Sequence, residues 1–62
     1  MSVFEILKIK YKNQFNKVFR KLNYQMLYHE AVILLNYLEG REPSNEEYEL
    51  KWRNKFEEYL SK

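Results

Sequence analysis

The chain has no cysteine, so neither a disulfide nor a thiolate-bound zinc ion is available to hold it together. It has a single histidine, His29, and a multi-histidine metal site would therefore have to be shared between chains. It has one glycine and one proline. The phosphate-cradling loops G-x-x-x-x-G-K-S/T and G-x-G-x-x-G, and the nucleophile elbow G-x-S-x-G, all need more than one glycine and do not occur. No apolar run approaches the ~18 residues that would span a bilayer. The opening "MSVFEILKIK" lacks the basic-then-apolar order and the small-residue cleavage site of a secretory signal. The expectation is a cytoplasmic, non-membrane protein with no cofactor, no metal and no catalytic machinery.

What is present is a chain of 62 residues, one small domain spanning 1–62. A domain of this size buries only about 60% of the surface its unfolded chain exposes. The usual reinforcements are disulfides, a structural metal or association with further copies, and only the last remains. Six tyrosines, four phenylalanines and one tryptophan supply large buried area per residue, which suits a small core or an interface. The net charge of +2 conceals an asymmetry. Residues 1–29 carry +5 and residues 30–62 carry −3, so the basic half has an acidic complement within the chain or on a second copy.

Hydrophobic periodicity predicts an all-α fold. "EPSNEEYELKWRNKFEEYLSK" opens with Ser44, followed three residues later by Glu47, the pattern of a capping box. Glu46, Glu47 and Glu49 suit a first turn, and Tyr48, Trp52, Phe56 and Tyr59 fall within about 80° of one another at a helical repeat. A helix over 44–61 follows, with Leu50 off its apolar face. Gly40, just past an apolar run, reads as the stop of a helix over 24–39, which Asn23 would cap at its start. In that helix Tyr24, Leu27, Tyr28, Ala31, Leu35 and Leu38 make one stripe. Met26, Ile33 and Tyr37 make another, and Val32 and Leu34 widen both. A helix apolar around most of its circumference is a central one.

The first segment contains "LKIKYK", Leu7 to Lys12, whose strict alternation is the repeat of a half-buried strand. A helix over 3–22 accounts for more of the chain: Phe4, Leu7, Tyr11, Phe15, Val18 and Leu22 cluster within about 80°. The expected architecture is a three-helix bundle, or one long helix with a short one if no break falls near Asn23. Dimerisation through Met26, Ile33, Leu34 and Tyr37 would complete it.

His29–Glu30 resembles half of H-E-x-x-H, but Ile33 occupies the place of the second histidine. The glutamates Glu46, Glu47, Glu49, Glu57 and Glu58 lack the dry, concave pocket that acid–base work requires. By elimination, and from the surplus of apolar surface, the sequence predicts a helical protein–protein interaction module, a regulator, inhibitor or adaptor. Its expected partner is a protein with an acidic surface, met by Ile6, Ile9, Lys10 and Lys17 on the outer side of the first helix. The alternative is nucleic-acid binding by the Lys-rich first helix, "KIKYKNQFNKVFRK", through phosphate contacts.

Overall fold

The computed structural model describes residues 2–61, and among these it contains four helices and no strand. They are α1 (Val3–Lys10), α2 (Lys12–Lys21), α3 (Tyr28–Leu38) and α4 (Glu47–Ser61). The helices close a ring in the order α1, α2, α4, α3, each packing on the two beside it. The core is Leu7 from α1, Phe15 and Val18 from α2, Ala31, Ile33, Leu34 and Leu35 from α3, and Phe56 from α4. Half of it comes from α3, the helix that the sequence marks as central.

The segment expected as one helix over 3–22 is folded over at Tyr11 (φ −128°, ψ 46°). Tyr11 still donates its N–H to the Leu7 carbonyl (3.0 Å) and accepts from the Phe15 N–H (2.8 Å), so it ends α1 and begins α2. The reason lies in what must cover the apolar stripe. A straight 20-residue helix is about 30 Å long, whereas the 11-residue α3 is about 16 Å long. The fold over Tyr11 brings both halves of the stripe onto the same core: Leu7, Phe15 and Val18 are buried, and Phe4, Tyr11 and Leu22 pack against them. "LKIKYK" is thus helical up to Lys10, and its alternation marks the place where the chain turns.

The first turn of α1 has a cap that sequence reading passed over. Ser2 accepts the Glu5 N–H on its hydroxyl (3.2 Å), and that hydroxyl lies 3.4 Å from the Glu5 carboxylate. The same S-x-x-E spacing recurs at Ser44–Glu47, where it does not form. There the partner is Glu49, whose carboxylate takes the Ser44 N–H (2.9 Å) and hydroxyl (3.3 Å), and α4 begins at Glu47 instead of Ser44. Tyr48 has to reach His29 at the start of α3, with ring centroids 6.0 Å apart. The connection must therefore run back along the length of α3. Extended backbone covers about 3.3 Å per residue against 1.5 Å in a helix, so three residues kept out of the helix gain about 5 Å of reach.

Between α2 and α3 the chain stops one helix firmly before it starts the next. Asn23 (φ 58°) and Tyr24 (φ 61°) are both left-handed. The Tyr24 N–H donates to the Phe19 carbonyl (2.9 Å) and the Asn23 N–H to that of Arg20 (3.1 Å), the paired bonds of a Schellman stop. The Tyr24 ring then packs edge-on against Phe19 (5.6 Å), the apolar contact that accompanies this stop. Asn23 therefore ends a helix and does not cap the next. Two left-handed residues cannot lie in a right-handed helix, so α3 begins four residues later than the expected 24. Gly40 (φ 76°) repeats the device at the end of α3. Its own N–H bonds to Tyr37 (3.2 Å) and the Arg41 N–H to Asn36 (3.0 Å), while the Arg41 guanidinium donates to the Asn36 side-chain oxygen (2.9 Å).

Candidate interaction surfaces

The eight residues that the sequence singles out do not form the two faces expected of them. Leu34 is fully buried and Ile33 nearly so, both within the core of a single chain, while Met26 and Tyr37 are half-buried against it. Within the chain α3 packs against α1 on one side and α4 on the other. Of the expected partner-binding residues, Ile6 turns inward and packs on the core, and Ile9 stands 69% exposed. Lys10 reaches Glu39 at the end of α3 (3.1 Å). Lys17 goes the other way and donates to the Leu60 carbonyl in the last turn of α4 (3.3 Å). In a continuous helix the seven-residue spacing would set Lys10 and Lys17 on one side. The fold at Tyr11 separates them.

At the end of α3, Glu39 accepts from both Lys10 and Arg41 (3.1 and 3.0 Å). The hydrogen bond to Glu39 raises the Lys10 ammonium above the ordinary lysine range, and the Tyr11 hydroxyl and the Glu39 charge add to the effect. This cluster ties α1 to the Gly40 stop. Glu30 is buried in the first turn of α3, where the helix dipole favours a carboxylate. Among the described residues no group of three or more His, Cys, Asp or Glu side chains comes together as metal ligands.

Two surfaces do stand out. The first is an apolar edge. Among the described residues six large apolar side chains remain well exposed, and three of them lie within five consecutive positions: Tyr24 (66%), Leu27 (62%) and Tyr28 (63%). Tyr48 is a fourth, and its ring packs on that of His29, the residue after Tyr28, before Trp52 continues the aromatic series along α4 (6.5 Å). The signal for this edge was present in "NYQMLYHE", but it reads as helix stripe until the left-handed pair at Asn23 and Tyr24 is known.

The second is polar. Asn13, Asn16, Lys17, Arg20 and Lys21, all on α2, line one open groove along its outer side. They recur at helical spacing, opposite the buried Phe15 and Val18. No carboxylate is among them. Comparison with known protein families, with curated proteins and with solved structures finds no match for this chain.

Proposed function

We propose that this chain is a non-enzymatic helical interaction module, a cytoplasmic regulator or adaptor that works by occupying the surface of a partner protein. The observation that carries the reading is the apolar edge Tyr24, Leu27 and Tyr28 with Tyr48. A fold that buries its core within one chain nevertheless leaves these side chains in water. Interfaces are enriched in tyrosine, and clustered exposed apolar residues mark contact sites more often than scattered ones do. The edge follows directly on Arg20 and Lys21 and belongs to the half of the chain that carries +5. The fitting partner therefore presents an apolar spot rimmed by carboxylates, which would steer the encounter and make its rate fall with salt. Self-association, expected from the sequence through Leu34, is the competing occupant. Leu34 is covered within the chain, so self-association would compete for the exposed side chains of this edge.

The paired substitution Leu27→Ser with Tyr28→Ser tests the reading, since both residues are exposed and outside the core. A partner recovered from native cells and then purified should lose at least about tenfold in affinity, with the circular dichroism and melting temperature of the module unchanged. An unchanged affinity would refute the proposal. So would a wild-type dimer by sedimentation that the double substitution converts to monomer, because the edge would then belong to a second copy.

A further inference from the structure

We propose that the outer side of α2 is a DNA-facing surface, which sets its Asn13, Asn16, Arg20 and Lys21 against duplex DNA. The argument starts from what these residues cost the helix. Asparagine is among the poorer helix formers, roughly 0.5–0.7 kcal/mol below alanine per position. Asn13 and Asn16 nevertheless stand exposed in a ten-residue helix. Among the described residues, neither they nor Arg20 and Lys21 make a side-chain hydrogen bond or an ion pair. The dipole at the end of α2 accounts for the positions of Arg20 and Lys21, but not for the asparagines that share their face.

Charge and shape then select the ligand. The groove brings together three cations, two carboxamides and no carboxylate, which fits a polyanion that also offers hydrogen-bonding edges. In duplex DNA, phosphates answer lysine and arginine, while asparagine and arginine pair with the edges of adenine and guanine. The major groove, about 12 Å wide, admits an α-helix. The deep, narrow major groove of A-form RNA does not. A single strand would call for aromatic rings to stack on, and the groove lining contains none. Lys17, held on the Leu60 carbonyl, fixes α2 against α4 and so presents the face on a rigid support. Arg20 and Lys21 also flank the apolar edge, but the DNA test reads Asn13 and Asn16 and the partner test reads Leu27 and Tyr28, so either proposal can fail without the other.

Fluorescence anisotropy with a labelled duplex of two helical turns tests the assignment. At about 50 mM salt the wild-type chain should bind in the micromolar range, and log K should fall with log salt at a slope of roughly −2, as two neutralised phosphates require. Arg20→Gln with Lys21→Gln should weaken binding about tenfold or more and reduce the slope by about 2. Asn13→Ala with Asn16→Ala should weaken binding while leaving the slope unchanged, because it removes no charge. Lys8→Gln with Lys51→Gln removes the same charge from exposed sites on α1 and α4 and should change binding by less than about twofold. Circular dichroism confirms that each variant is folded. The proposal is overturned if the Arg20 and Lys21 pair matches wild type, or if the Lys8 and Lys51 pair weakens binding equally, which would leave net charge as the whole effect. Tighter binding of a single strand than of the duplex overturns it too. So does equal binding of polyglutamate, which would assign the face to an acidic protein.

Discussion

Three residues hold left-handed backbone, and they do so for different reasons. Gly40 (φ 76°) has no heavy atom within 4 Å of where a Cβ would stand, so space does not require a glycine there. What requires it is the backbone conformation itself, which disfavours a side chain by about 1–2 kcal/mol. Gly40→Ala should therefore cost roughly 1 kcal/mol, a fall of about 4–8 °C in melting temperature for a domain of this size, with no change in the packing around it. Asn23, with a short side chain tolerated in this region, should accept glycine without loss and lose about as much as Gly40 on substitution by alanine. Thermal melts of the three variants check both, and a neutral Gly40→Ala would show that the stop at the end of α3 is not held. Tyr24 is the unusual member, a bulky residue with positive φ, and its ring contact with Phe19 offsets the strain. Glycine announces such a position in the sequence and tyrosine does not. That is why Gly40 marked the end of α3 in the sequence, whereas the left-handed pair after α2, and with it the late start of α3 at Tyr28, was not legible.

Elements in this fold are delimited by their ends more than by their interiors. The apolar stripes were legible, and Leu7, Phe15, Val18, Ala31, Leu35 and Phe56 all fall on the faces that helical spacing assigns them. The break at Tyr11 was not, since no proline or glycine marks it. It follows from the lengths of the helices available to cover the stripe, a tertiary constraint. The candidate sites suffered from the same cause: once α1 and α2 diverge, Ile6 turns to the core and Lys10 and Lys17 reach different helices. Lys10 now joins α1 to the end of α3 through Glu39. Its ammonium is raised above the ordinary lysine range, chiefly by that hydrogen bond. A group whose folded-state pKa is raised stabilises fully below its unfolded value, about 10.4 for lysine, and loses that contribution as pH climbs through the folded value. Lys10→Gln should accordingly melt slightly below wild type at neutral pH. The gap should close as pH climbs through the raised folded-state value, and a gap that persists beyond it would mean that Lys10 contributes packing and not charge. Salt should narrow the gap at neutral pH, because the pair is exposed.

At the scale of the whole molecule, the four helices gather one buried core within the chain. A folded chain of 62 residues is expected to have a radius of gyration of about 10.6 Å, and the value here is 10.7 Å. Folding the first stripe over at Tyr11 lets α1 pack on α3 while α2 packs on α4, and so closes the ring of four helices. The margin remains small. At about 0.05–0.15 kcal/mol per residue, the total stability of such a domain is roughly 3–9 kcal/mol. Phe56 is fully buried and is the only buried residue that α4 contributes. Truncating a buried phenylalanine to alanine costs about 3–5 kcal/mol, which approaches or exceeds the whole margin. Phe56→Ala should therefore leave the chain largely unfolded at physiological temperature. Leu50→Ala, on the same helix but exposed, should change stability by less than about 0.5 kcal/mol. Concentration supplies the decisive comparison. If the folded unit is the single chain, the wild-type melting temperature stays constant over a hundredfold dilution, and raising the concentration does not rescue Phe56→Ala. A melting temperature that climbs with concentration, or a Phe56→Ala chain that folds when concentrated, would mean that a second copy completes the core after all.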